Sequence, residues 1–163
     1  MMCALAASLL ILLLAGCGWQ LRGTEAGASQ LESITLSGGS LALRDPLRRG
    51  FARQSVLVHS QAPTAIRILD EHWQERVIAF DALGRAVESE LRLTLQWQYE
   101  ERVGEALSDA ETLVLSGSYA RLSSNAVNAS DEADRLRDQL YADAARLISR
   151  RVNALVKQRD AGQ

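Results

Sequence analysis

Side chains that could do chemistry are few in this 163-residue sequence, and their spacing matches no catalytic or metal-binding pattern. The histidines are His59 and His72 only, and they form no cluster with cysteine at metal-ligand spacing. The carboxylate pairs Asp70-Glu71 and Glu100-Glu101 are chain neighbours, so on a strand they point to opposite faces and cannot act on one atom. We therefore expect no enzymatic activity, no metal and no cofactor.

One cysteine does stand in a chemically informative place. The first 21 residues carry no charged side chain, and Ala4–Ala15 is an apolar run too short for a membrane-spanning helix, which needs about 20 residues. Such a run fits the hydrophobic region of a signal peptide. The tetrapeptide Leu14-Ala15-Gly16-Cys17 that ends it resembles a bacterial lipobox. We expect cleavage after residue 16 and acylation of Cys17; the alternative is a buried N-terminal helix.

The resemblance to a lipobox implies three acyl chains on Cys17 and therefore a stable membrane anchor, since each buried CH₂ contributes about 0.8 kcal/mol. Gly18 follows the cysteine, where an aspartate would favour the inner membrane, so the outer membrane is favoured. Residues 17–30 are rich in small and polar residues and are predicted to be a lipidated tether. Cys3 would be removed with the signal peptide, leaving no thiol for a disulfide, so the domain must depend on its hydrophobic core.

The charge pattern adds a weaker indication. All but one of the 18 basic residues are arginine, the exception being Lys157, and the net charge is −2. The mixed signs argue against a nucleic-acid partner. Arginine is the better bidentate partner for phosphate or carboxylate, so the bias could reflect an anionic ligand. A GC-rich genome would explain it equally well.

The elements that would carry these residues begin with a short strand at Ile34–Leu36, ended by Gly38-Gly39. Asp45 followed by Pro46 predicts the N-terminus of a helix that runs to about Gln54. The apolar run at 56–58 is either an edge strand or the exit from that helix.

Three longer strands follow. Ala65–Phe80 alternates but slips near Leu69-Asp70, which suggests a bulge. After a turn at 81–85, Val87–Glu100 alternates apolar and polar residues and predicts a strand with one buried face. Thr112–Leu122 is the last strand, with a possible bulge at Gly117.

A long amphipathic helix ends the domain. Ser130 is its predicted cap, and apolar residues recur at helical spacing after it: Leu136, Leu140, Ala144, Leu147, Ile148, Val152 and Leu155. The element order predicts a two-layer α+β domain, β-α-β-β-β-α, over 31–157. Its sheet would be four-stranded and mostly antiparallel, with both helices on one face, and 158–163 would be a short polar tail.

The heptapeptide from Cys17 to Gly23, Cys-Gly-Trp-Gln-Leu-Arg-Gly, resembles the mature start of the LptE family of lipopolysaccharide (LPS)-assembly lipoproteins. The similarity continues weakly through the 80–85 turn, the stretch Ser118–Arg121 and the loop before the last helix. It implies an outer-membrane lipoprotein that plugs the LptD β-barrel, assists its folding and binds LPS on its way to the outer leaflet. The domain would then lie within the barrel lumen or face the periplasm.

In this family LPS binding is attributed to basic residues near the hairpin tip and the loop before the last helix. The resemblance therefore implies Arg85 at the tip, with Arg76 and Arg121 as neighbours; the loop 123–130 has no basic residue. The alternative is another envelope lipoprotein, with a structural or transporter-auxiliary role.

Overall fold

The computed structural model describes residues 31–101, 104–121 and 126–161. The predicted signal peptide, Cys17 and the tether lie outside the described residues. The elements, in chain order, are β1 (Ser33–Ser37), α1 (Leu41–Ala52), β2 (Leu57–Val58), β3 (Thr64–Phe80), β4 (Ala86–Glu101), β5 (Glu111–Ala120) and α2 (Ala126–Ala161). None of the described helices combines the length and apolarity needed to cross a membrane.

The α+β class is confirmed, but the sheet has five strands rather than four. Its order is β2-β1-β3-β4-β5, with β1 parallel to β2 and β3, and β4 antiparallel to both of its neighbours, β3 and β5. The additional strand is the two-residue β2, so the apolar run at 56–58 is an edge strand. α1 provides the crossover between β1 and its parallel neighbours, since parallel strands cannot be joined by a tight turn.

The core lies between β4 and the two helices. The odd-numbered side chains of β4 from Ser89 to Tyr99 are buried, and Leu93, Leu95 and Trp97 are screened from water as their alternation predicts. They share one cluster with residues of both helices: Leu43, Leu47 and Phe51 of α1, and Tyr141, Ala144, Ala145, Ile148, Val152 and Val156 of α2. Both helices therefore pack on the same face, and the even-numbered residues of β4 form the opposite, open face.

The predicted bulge in β3 is confirmed, because the pairing with β4 shifts register between Ile68 and Asp70. The predicted bulge at Gly117 is wrong: the pairing of β4 and β5 runs without a shift, with Gly117 opposite Leu91. The glycine serves helix packing instead. A Cβ at that position would lie 2.7 Å from Cδ1 of Leu136, so that side chain of α2 would have to move to admit one.

α1 begins five residues earlier than Asp45 predicts, with Ser40 as its N-cap. The Ser40 hydroxyl accepts a hydrogen bond from the Leu43 N–H at 3.2 Å, and Pro46 lies inside the helix. A contact with β3 favours Ser40 over Asp45 as the N-cap. The backbone N–H and the hydroxyl of Ser40 both donate to the carboxylate of Glu71, at 2.7 and 2.8 Å.

The carboxylate of Glu71 also joins the last helix to the sheet. It accepts a hydrogen bond from the Tyr141 hydroxyl at 2.5 Å, and the Trp73 indole N–H donates to the same hydroxyl at 2.9 Å. Burial, and then the bond to Glu71, raise the pKa of Tyr141. One carboxylate thus connects the start of α1, the middle of β3 and α2.

The predicted cap at Ser130 is wrong, because α2 already includes Ala126 and Ser130 lies within it. The apolar stripe is confirmed. Leu140, Ala144, Ile148 and Val152 are buried, and the other predicted members, Leu136, Leu147 and Leu155, are half-buried. The helix continues to Ala161, into the segment predicted as a polar tail.

Candidate functional site

The three arginines implied by the resemblance lie at one end of the molecule, around the turn between β3 and β4. Arg85 ends that turn, the Arg121 N–H donates to the Val87 carbonyl at 2.7 Å, and Arg76 pairs with Glu90 in the ladder. Glu90 is five residues beyond Arg85, which corresponds to about 17 Å along a strand. We call this region, from Arg76 to Glu90 with the adjoining end of β5, the hairpin end.

Arg85 is held by the turn itself. Its Nε lies 2.7 Å from Oδ2 of Asp81, while Oδ1 accepts the backbone N–H groups of Leu83 and Arg85, each at 2.9 Å. Gly84 takes the left-handed conformation, φ +75°, that closes the turn. Arg85 is therefore oriented by its Nε, and the two terminal NH₂ groups of its half-exposed guanidinium are the donors available to a ligand.

The same contacts act on the carboxylate. The pKa of Asp81 is lowered, chiefly by the hydrogen bond from the Arg85 backbone N–H and then by the Arg85 side chain. Asp81 is thus ionised at neutral pH, and the ion pair that orients Arg85 is intact there.

Arg76 lies on the open face of the hairpin. Its Nε donates to Oε2 of Glu90 at 2.8 Å, and Arg92 lies 3.7 Å from the same oxygen. The hydrogen bond from Arg76 lowers the pKa of Glu90 and raises the pKa of Arg76. The negative charge of Glu90 therefore reduces the attraction of Arg76 and Arg92 for an anionic ligand.

Arg121 lies on the helix-facing side, in a cleft of about 300 Å³ between the hairpin and the first turns of α2. Its NH1 donates to the Ser89 hydroxyl at 3.2 Å and lies 3.6 Å from Oε1 of Glu75. The structure therefore separates the three candidates: Arg76 and Arg121 occupy opposite faces of the hairpin, and Arg85 lies in the turn.

Sequence reasoning missed two groups in this cleft, Arg137 and Glu75. Arg137 lies 4.0 Å from Oε2 of Glu75, and the Tyr119 hydroxyl donates to Oε1 at 2.6 Å. Burial, and then the bond to Glu75, raise the pKa of Tyr119. Arg137 could have been found, because it follows Ser130 and Ala133 at helical spacing and so shares their face.

The hairpin end also exposes apolar side chains. Phe80 is 64% exposed and Leu83 is 77% exposed, and both flank the turn that holds Arg85. Val77 and Ile78 are more than one-third exposed in the preceding part of β3. Guanidinium donors and apolar surface next to each other suit a ligand that carries both anionic groups and hydrocarbon.

Several bacterial lipoproteins of known structure have a similar fold. An uncharacterized lipoprotein B from Nitrosomonas europaea is 19% identical, with a TM-score of 0.69 over 86% of this chain and 93% of that one. A minor lipoprotein from Acinetobacter baumannii is 21% identical, with a TM-score of 0.64 over 76% and 91%. The rare lipoprotein B from Shewanella oneidensis is 16% identical, with a TM-score of 0.63 over 78% and 98%. At these identities the likeness defines the fold alone.

The sequence itself matches no curated protein. The model of the LptE lipopolysaccharide-assembly family, however, matches residues 31–152, which is most of the chain. The chain therefore belongs to the LptE family of lipopolysaccharide-assembly proteins, as the heptapeptide from Cys17 predicts. Membership implies a location in the cell envelope.

Proposed function

We propose that this protein is a non-enzymatic outer-membrane lipoprotein that occupies the lumen of an LptD-type β-barrel, assists its assembly and binds LPS in transit. Arg85 in the hairpin turn, flanked by exposed Phe80 and Leu83, is the observation that carries the ligand part of the proposal. Phosphate groups of the glycolipid would accept from the guanidinium, and acyl chains would cover the apolar side chains.

The cleft around Arg121, farther along the hairpin, offers further donors. Arg121 and Arg137 are 3.6 and 4.0 Å from Glu75, longer than a hydrogen bond, so their donors are not saturated by that carboxylate. A carboxylate occupies the Nε of Arg76 as it does the Nε of Arg85, so the ion pairs do not rank these two residues. Arg85 is favoured because the exposed side chains of Phe80 and Leu83 flank it.

The open face of the sheet supports the barrel part of the proposal. Arg92, Thr94, Gln96 and Gln98 are at least partly exposed there, and barrel lumens are polar. The test is co-purification from detergent-solubilised outer membranes. The proposal requires that the protein co-purifies in a stoichiometric complex with a large β-barrel. If it is instead another envelope lipoprotein, it should purify without a β-barrel.

Lipidation of Cys17 is the first expected result. Mass spectrometry of the membrane-purified protein should show a tri-acylated peptide that begins at Cys17, because residues 14–17 match a lipobox. Cys17→Ala should leave the precursor unprocessed. An unmodified thiol at Cys17 within a longer chain would contradict the proposal.

Arg85→Gln should weaken LPS binding by about 1–3 kcal/mol, the range for hydrogen bonds to charged groups. Equilibrium binding to purified LPS at low and physiological salt measures this, since an exposed contact is screened within about 8–10 Å at physiological salt. Arg85→Lys should keep part of the affinity but lose the bidentate contact.

Two controls separate the guanidinium from the turn that holds it. Asp81→Asn removes the ion pair that orients Arg85 but keeps the guanidinium, so it should weaken LPS binding less than Arg85→Gln does. Arg135→Gln removes one exposed charge from α2 and should have no effect. If Asp81→Asn and Arg85→Gln weaken binding equally, the turn geometry and not the Arg85 donors is responsible.

A further inference from the structure

A second cleft lies between α1 and α2, away from the hairpin end. It has a volume of about 240 Å³ and is lined by Gly50, Arg53, Gln54, Arg146, Ser149 and Arg150. On α2 it begins nine residues beyond Arg137, or about 14 Å along the helix. None of the lining residues is acidic, so the cleft differs in charge from the one that contains Glu75.

Ser149 lacks a partner in this cleft. Its side chain is 1% exposed, and its hydroxyl makes no hydrogen bond to any described group. A serine within a helix commonly donates to the carbonyl four residues earlier, but this one does not. Leaving a buried hydroxyl unpaired is costly, so a ligand atom in the cleft would relieve the cost.

Gly50 keeps the space beside that hydroxyl open. A Cβ at residue 50 would lie 3.3 Å from Oγ of Ser149, a tight contact. Glycine inside a helix is unfavourable relative to alanine, so Gly50 lowers the stability of α1. The glycine therefore leaves no side chain of residue 50 between Oγ of Ser149 and the cleft, although the hydroxyl itself is buried.

The remaining groups are donors. Among the described residues, no carboxylate pairs with Arg53 or Arg150, whereas Arg146 is paired with Asp143. Oε1 of Gln54 accepts from Asn153 at 2.5 Å, which leaves the Gln54 amide N–H groups for another partner. Two unpaired guanidiniums, an amide and an unpartnered hydroxyl thus border one small volume.

We infer that this cleft binds a phosphate group, held by Arg53, Arg150 and the hydroxyl of Ser149. Phosphate offers several strong acceptor oxygens and the negative charge that these donors lack, and arginine binds it with two parallel N–H bonds. The group could belong to free phosphate or to a phosphate-bearing lipid headgroup. This site is independent of the LPS site at the hairpin end.

The test is calorimetric titration of the full chain in neutral detergent, with sodium phosphate in one arm and dihexanoyl phosphatidic acid in the other. Ionic strength is held constant with sodium chloride. Saturable binding of inorganic phosphate indicates the free anion. Binding of the short-chain lipid but not of inorganic phosphate indicates a headgroup.

Variants locate the site. Ser149→Ala removes a hydroxyl with no internal partner, so the fold should be unaffected while phosphate binds about tenfold more weakly. The double variant Arg53→Gln/Arg150→Gln should bind more than tenfold more weakly. Gly50→Ala should also weaken binding by crowding the hydroxyl.

Matched controls are Arg135→Gln, on the same helix, and Arg48→Gln, which removes an exposed charge from α1. Both should bind phosphate as the unmodified chain does. The inference is overturned if neither probe binds at millimolar concentration, or if Ser149→Ala and the double variant bind as tightly as the controls.

Discussion

Leu95→Ala should destabilise the protein by about 2–5 kcal/mol, the range for truncating a fully buried leucine. Leu95 is 0% exposed in the middle of β4 and belongs to the cluster that joins the sheet to both helices. Removing its isobutyl group leaves a cavity between β4, α1 and α2, which can be filled only if these elements move towards one another. Urea denaturation followed by circular dichroism measures the change in the free energy of unfolding.

The neighbouring residue is the control. Thr94 points to the open face of the same strand and is half-exposed. Thr94→Ala should therefore change the free energy of unfolding by less than about 0.5 kcal/mol. Similar losses at both positions would mean that the open face is covered or that the register of β4 differs.

Gly38→Ala should cost about 2–5 kcal/mol, for two reasons that act together. Gly38 has φ +70°, a conformation that strains an L-residue, and an added Cβ would stand 2.2 Å from the carbonyl oxygen of Ile68. That oxygen is backbone, at the bulge of β3, and cannot rotate away. Either the β1–β3 pairing or the entry into α1 must shift, and denaturation of the variant measures the loss.

Gly84→Ala separates the two reasons. Gly84 has a similar φ of +75°, but a Cβ there would meet nothing within 4 Å. The substitution should cost only the conformational strain, about 1–2 kcal/mol. If Gly38→Ala costs no more than Gly84→Ala, the close approach to Ile68 is not rigid.

Alternation and periodicity predicted the elements that bury the most surface. The pattern of β4 and the apolar stripe of α2 are visible in the sequence because apolar residues mark the buried face of each element and polar residues mark its exposed face. The bulge at Leu69-Asp70 was visible for the same reason, as a break in the alternation. The sequence does not decide whether residues 56–58 form a strand, because two paired residues are too few to show an alternation of apolar and polar side chains.

Helix starts were predicted less well, because several residues in the chain can serve as a cap. Ser40 and Asp45 are both favourable N-cap residues, and Ser40 is used because Glu71, 31 residues later, accepts its N–H and hydroxyl. Such a contact depends on the folded arrangement. Gly117 was misread for a similar reason, since its role is defined by Leu136 of a distant helix.

The place of Arg85 in the fold was predicted from the sequence, but its contacts were not. The sequence indicated that Arg85 lies at the hairpin turn, but not that Asp81 occupies its Nε. It grouped Arg76 with Arg121, which the sheet places on opposite faces. Arg137 was missed because it reaches the cleft only through the packing of α2 against β5.

The long hairpin has two mechanically different halves. Its inner half shares the hydrophobic core with both helices, whereas near the tip Val77, Ile78, Phe80 and Leu83 are exposed and the strands are joined mainly by ladder hydrogen bonds. Regions with few buried apolar contacts open at a lower free energy than the core. The outer half of the hairpin should therefore deform at a lower free energy than the inner half, while the domain that carries it stays folded.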